Sequence, residues 1–234
     1  MEYLLFRLYG PMSSWGDIAV GETRPSFTYP TKSAVLGLVA GALGIRRDEE
    51  AKHVLLAESM GFAVQVECMG QILTDYHTAQ VPSGTKPYCT RRQELSGEKS
   101  ELNTILSTRS YRADGLYTII LWQRTPKEWS LEQIMAKLEE PVFVPYLGRK
   151  SCPTALPFEA QIVDAVSLVE ALSQVKFTNI DSFGFKSFGQ KTLYWDVDAV
   201  AGVVQQHAFE RRDLPLSRCR WQFDTRKEYH AALI

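Results

Sequence analysis

The sequence predicts an α+β fold: a ferredoxin-like or RNA-recognition-motif-like core carrying a long insertion and extra C-terminal β strands. Three observations carry that prediction. Residues 3–9 and 117–122 are dense apolar and aromatic runs that read as buried strands. Two helical stripes, opened by the N-cap residues Thr31 and Ser130, each stand between strand signals. The order through residue 163 is β-α-β, a long insertion, then β-α-β, which is the split arrangement of this class.

Each element has its own warrant. The first strand ends at Gly10-Pro11, and the next twenty residues, with Gly16, Gly21, Pro25 and Pro30, read as an extended loop or irregular hairpin. Thr31 then caps a helix in which Val35, Leu38, Val39, Ala42 and Leu43 share helical spacing, and Gly44 suits its end. Gly37 and Gly41 fall on one face of it, which predicts close packing on a sheet. A second helix is predicted over 48–59 and an alternating strand over 62–68. Residues 75–112 lose regular apolar periodicity. After the strand at 117–122, Leu131, Ile134, Met135 and Leu138 form one apolar stripe that Pro141 stops. A stretch punctuated by Pro145, Gly148, Pro153 and Pro157 follows. Beyond it the pattern predicts a strand near 158–163, a helix near 167–175, and strands near 192–197 and 203–209.

Composition excludes several classes. The 234 residues are 45% hydrophobic and 23% charged, which excludes wholesale disorder and allows a core without disulfide or metal staples. Lys and Arg total 26 against 27 Asp and Glu, so the chain does not coat nucleic acid through bulk charge. The longest apolar run, 34–43, is far short of the roughly 20 residues of a bilayer span. Met1-Glu2-Tyr3-Leu4-Leu5-Phe6-Arg7 does not read as a signal peptide. Cys68, Cys89, Cys152 and Cys219 form no C-x-x-C pair, no H-E-x-x-H occurs, and free thiols in a reducing cytoplasm are expected, with no metal or cofactor.

Four segments carry candidate chemistry. Residues 75–112 hold six cations (Lys86, Arg91, Arg92, Lys99, Arg109, Arg112) against four carboxylates, with Tyr76, His77, Tyr88 and Tyr111 interleaved. Guanidinium groups meet phosphate and flat rings stack on unpaired bases, as single-stranded nucleic acid requires. A solvated surface loop fits the same composition. Pro30-Thr31-Lys32-Ser33 opens a helix, where free amides and the helix dipole favour an anion such as one backbone phosphate, or simply form an N-cap. Asp75-Tyr76-His77-Thr78 sets a phenol beside an imidazole, a pair suited to metal-free RNA cleavage with Lys86 or an arginine stabilising charge. Neighbours on a strand point to opposite faces, so a stacking tyrosine and a hydrogen-bonding histidine are the other use. Gly148-Arg149-Lys150 offers two cations on a tight loop, and Cys152 beside them reads as structural.

Together these segments resemble one family. Phe6-Arg7-Leu8-Tyr9-Gly10-Pro11-Met12-Ser13-Ser14-Trp15-Gly16, Thr23-Arg24-Pro25, Pro30-Thr31-Lys32-Ser33, Leu43-Gly44-Ile45 and Arg47-Asp48 are similar to the fifth Cas family. So are Asp75-Tyr76-His77-Thr78, Thr104-Ile105 followed by Arg109-x-Tyr111, and Pro145-Tyr146-Leu147-Gly148-Arg149-Lys150-Ser151-Cys152-Pro153, in the same order. The family belongs to the RAMP superfamily, and its type I-E members are the CasD subunits of Cascade complexes. The match covers residues 1–160; nothing is transferred to the tail.

The resemblance implies a single RAMP-type domain. Its RNA-recognition-motif-like core spans about 1–75 and 113–163, its thumb insertion about 76–112 and its β-rich extension about 164–234. It implies a non-catalytic subunit that grips the 5′ handle of CRISPR RNA, caps the backbone filament, touches the large subunit and meets target DNA through the assembled complex. Arg109 matches the thumb arginine that wedges between handle bases, supported by Tyr111. Thr31, Lys32, Ser33, Arg46 and Arg47 would hold the handle backbone, joined by Trp15, Arg24, Tyr76, His77, Arg149 and Lys150. In a sister subtype the related subunit is itself a metal-independent endoribonuclease, and Tyr76 with His77 keeps that alternative open.

Overall fold

In the computed structural model, residues 1–84, 87–125, 128–178 and 190–233 are described. Strand β1 (Glu2–Tyr9) is the axis of the fold, because strict alternation sends its side chains into two cores. Leu4, Phe6 and Leu8 enter one, and Tyr3 and Leu5 the other. It pairs antiparallel with β7 (Leu116–Gln123) on one side and β8 (Gln161–Asp164) on the other. Strand β4 (Met60–Cys68) lies against the far edge of β7. The spatial order β8-β1-β7-β4, with helices α1 (Lys32–Leu43) and α4 (Leu131–Glu139) in the two crossovers, realises the predicted split βαβ core.

Local chemistry sets the helix ends. The Thr31 hydroxyl accepts the Ala34 amide at 3.1 Å, and Gly44 terminates α1 at φ 81°, where its amide donates to the Ala40 and Gly41 carbonyls. Ser130 and Gln133 form a reciprocal capping box on α4. Ser167 caps α5 (Leu168–Gln174), which covers the second core through Leu168 and Ala171. α2 (Glu50–Ser59) adds Leu56 and Ala57 to the first core.

Two segments differ from the sequence pattern. Residues 75–112 are predicted without periodic structure, yet half of them belong to a two-stranded ribbon, β5 (Gln71–Pro82) with β6 (Leu102–Ala113), in continuous antiparallel register. A short helix, α3 (Arg91–Glu94), lies in the connection. Most of β5 faces solvent on both sides, so it has no apolar alternation to read. The short strands β2 (Met12–Ser13) and β3 (Thr23–Arg24) flank the other edge of β6.

The strand expected near 203–209 begins instead at His207. It is one half of a long hairpin, β10 (His207–Ser217) and β11 (Gln222–Ala232), joined to the core sheet through β9 (Thr192–Asp196). Its partner strand escaped the pattern because its inward face is charged. Arg211 and Asp213 on β10 and Arg226 and Glu228 on β11 are buried, so the alternation is written in ions rather than hydrocarbons. The predicted packing of Gly37 and Gly41 on a sheet is also corrected. A Cβ at Gly37 would lie 3.4 Å from the Arg218 guanidinium, while beside Gly41 there is open space.

Candidate nucleic-acid interface

The site begins with the hairpin register. Asp75 sits opposite Arg109 and Leu73 opposite Tyr111, while β3 places Arg24 beside Arg109 on the other edge of β6. Partners in register share a face, so Asp75, Arg109 and Arg24 form one row across three strands. Arg24 holds its own loop, donating from Nη1 to the Gly21 and Thr23 carbonyls at 2.6 and 3.0 Å. Below this row, the Arg149 guanidinium lies 4.9 Å over the Tyr111 ring and donates to its hydroxyl at 3.2 Å. Tyr111 is buried against the first core, which anchors the base of the ribbon to the body.

Arg149 is delivered there by backbone geometry. Leu147 and Cys152 hydrogen-bond across the turn, and the Ser14 amide donates to the Leu147 carbonyl at 3.0 Å. Gly148 at φ 84° packs so closely on Ser14 that an added Cβ would fall 1.8 Å from its carbonyl oxygen. Cys152 is fully buried, and burial pushes its thiol pKa up, so it packs as a small apolar side chain. Lys150, next to Arg149, is exposed.

Tyr76 and His77 point to opposite faces of the ribbon. Tyr76 is 65% exposed and stands across from Thr108. His77 shares the other face with Asp75, 3.8 Å from its carboxylate, and helps line a shallow depression with Thr78, Gln80, Arg91 and Thr104. The pair therefore does not converge on one point. Lys86, the sequence's choice for stabilising charge, lies outside the described residues.

The start of α1 is filled from within. The Asp213 carboxylate accepts the Lys32 backbone amide at 2.8 Å, taking the place a phosphate would occupy. The Lys32 ammonium, 1% exposed, pairs with Asp196 at 2.7 Å. Burial depresses the Lys32 pKa, opposed by Asp196. Asp196 also receives Arg124 and Arg226, and Arg226 continues to Asp213 and Glu228. The Tyr29 hydroxyl donates to Glu228 at 2.7 Å, and Arg211 lies 4.1 Å over the Tyr29 ring. Lys32 is thus a strut of a closed charge lattice between α1 and the C-terminal hairpin.

The remaining candidates divide by exposure. Trp15 is 2% exposed and meets Tyr117 edge-on at 5.4 Å, so it is core and offers no face for stacking. Thr31 is buried as a cap, and the half-buried Ser33 gives its carbonyl to Arg218. Arg46 and Arg47 are exposed in the turn after α1, and Arg47 stacks on Trp221 at 4.6 Å. Trp221 and Arg218 were missed, although Arg218-Cys219-Arg220-Trp221 shows the same arginine-plus-aromatic signal that singled out residues 75–112.

A ferredoxin-like core bearing a two-stranded ribbon defines the fold class, and the comparisons specify the family. The family model described as CRISPR-associated protein (Cas_Cas5) matches residues 3–228, and the chain belongs to that family. It is 31% identical over 232 residues to the CRISPR system Cascade subunit CasD of Escherichia coli (strain K12), covering 97% of this chain and 95% of that protein. A solved structure described as a CRISPR RNA-guided surveillance complex contains a chain superposing with a TM-score of 0.67 at 23% identity, covering 98% of this chain and 89% of the other. A second, described as a Cas protein, gives 0.64 at 25% identity, with 99% and 94% covered. No helix among the described residues is long and apolar enough to cross a membrane.

Proposed function

We propose that this chain is a non-catalytic RNA-binding subunit of a Cascade surveillance complex, gripping the 5′ handle of CRISPR RNA and capping one end of the backbone filament. The observation that carries the reading is the row of Arg24 and Arg109 on one face of an exposed ribbon, continued at its base by the Arg149–Tyr111 stack. Cations spaced along a flat strand surface suit a phosphate backbone, and an arginine midway along a two-stranded arm suits insertion between unpaired bases. Arg109 and Tyr111 mark the arm, Arg149 and Lys150 its base, and Arg46 and Arg47 the path toward the end of α1. Arg24 and Tyr76 widen the arm's surface. Thr31, Lys32 and Trp15 support this surface from beneath.

The non-catalytic reading is supported by the divergence of Tyr76 and His77 on the ribbon. Purified protein incubated with precursor repeat RNA and EDTA is expected to leave it intact; cleavage abolished by His77→Ala would overturn that part. For binding, Arg109→Ala is expected to weaken anisotropy-measured affinity for an RNA carrying the 5′ handle by about tenfold, the scale of one lost stacking or charge-assisted contact. Its melting temperature should stay near that of the wild type, because the ribbon adds little core. Equal affinity of the two proteins would remove Arg109 from the site.

A further inference from the structure

Four arginines are buried among the described residues: Arg7, Arg211, Arg218 and Arg226. Three have carboxylate partners, Arg7 with Glu159, Arg211 with Glu228, and Arg226 with Asp196, Asp213 and Glu228. Arg218 does not. It is 9% exposed, and among the described residues no carboxylate reaches its guanidinium; Nη2 donates to the Ser33 carbonyl at 2.7 Å. A chain that neutralises its other buried guanidinium groups has left this one for something outside itself.

Its surroundings indicate what that is. The Arg218 guanidinium lies 5.7 Å from the Trp221 ring, and Arg47 stacks on the same indole at 4.6 Å. Two cations therefore share one ring system, and Arg47 likewise has no carboxylate within ion-pair distance among the described residues. Trp221 is 56% exposed on the turn between β10 and β11, braced edge-on by Phe223 at 5.7 Å. Two acids from the α1–α2 side lie by this turn without reaching either guanidinium: the Glu50 carboxylate accepts from Ser217 and Cys219, and Asp48 lies near Cys219. Gly37 backs the guanidinium, whose Nη2 lies 3.4 Å from where a Cβ would stand.

We infer that Arg47, Arg218 and Trp221 form a site for one nucleotide of a single-stranded nucleic acid, its phosphate against the two guanidinium groups and its base on the indole. A free anion would use the charge but not the exposed ring; a nucleotide uses both. The inference rests on the proposed RNA-binding function and adds a contact that the ribbon does not supply.

The test measures anisotropy of a fluorescein-labelled 12-nucleotide oligouridine and of an oligothymidine of equal length, across a salt series, with the full chain. Trp221→Ala is expected to weaken binding about tenfold, as loss of one stacked base does. Arg47→Ala and Arg218→Gln should each lower the salt dependence by about 0.7 in slope, the signature of one phosphate contact on a single strand. Loss with both oligomers indicates a site blind to the 2′-hydroxyl; loss with the RNA alone indicates that the hydroxyl is read, and either supports the site. Because Arg218 is buried, Trp221→Ala and Arg47→Ala, at exposed positions, decide the matter. If both bind like the wild type while Arg109→Ala is weakened, this site falls and the ribbon reading stands. If Trp221→Ala is weakened here while Arg109→Ala binds handle RNA like the wild type, the site stands and the ribbon reading falls. A wild-type chain that binds neither oligomer overturns this site, and one that also fails to bind handle RNA overturns both.

Discussion

The Asp213 carboxylate sits 2.8 Å from the Lys32 backbone nitrogen, so the first helix receives its anion from a strand 181 residues away in sequence. The same carboxylate takes Arg226 through two bonds, at 2.6 and 3.1 Å. One side chain thus satisfies a helix terminus and a buried guanidinium together, and fastens the C-terminal hairpin to the core.

Asp213→Ala is expected to destabilise the fold by about 1–3 kcal/mol, because it leaves the Lys32 amide unpaired and takes two bonds from Arg226, which keeps Asp196 and Glu228. For a chain of this length that lowers the melting temperature by roughly 5 °C. Thermal denaturation followed by circular dichroism measures it. A shift of a degree or two would mean that the lattice reorganises around the gap.

Trp15→Ala separates core from interface. The indole is buried edge-on to Tyr117, so its removal should cost about 3–5 kcal/mol. RNA affinity, measured at a temperature where the variant remains folded, should match the wild type. A weakened complex with unchanged stability would return Trp15 to the RNA surface.

Gly148→Ala tests how the Arg149 loop is held. At φ 84° and with the Ser14 carbonyl 1.8 Å from the new Cβ, alanine cannot enter without displacing the turn. Loss of stability is expected together with loss of the Arg149 contact to Tyr111. A spectrum in which Tyr111 and neighbouring amides keep wild-type chemical shifts would refute this.

Stability should also fall on mild acidification. Burial lowers the pKa of His230, helped by His207, and burial lowers that of His53 as well. Each folded pKa lies below its unfolded value near 6.5, so the unfolded chain binds more protons in the interval between them. The stability contributed is therefore present above about pH 6.5 and lost as pH falls through the folded values. Urea midpoints at pH 7.5 and 5.5 should differ less for His230→Asn than for the wild type; an unchanged difference would exclude His230 as a source.

Much of the fold was legible because it rests on local rules. Alternation in β1 and β7, the Thr31 and Ser130 caps, Gly44 at the end of α1 and the split element order are written in neighbouring residues. The ribbon was legible in its charge and aromatic content but not as strands, since two solvated faces erase the apolar period. By itself the sequence determined the family and the core topology, and it put forward Arg24, Arg109 and Arg149 as candidates. Only the tertiary structure decided which cations are free to meet a partner. Lys32 reads as a cation for a phosphate and Arg218 is not singled out, yet the first is neutralised by Asp196 and the second has no carboxylate partner among the described residues. Whether a charge is satisfied depends on residues far away in sequence, and no local pattern records the distance between them.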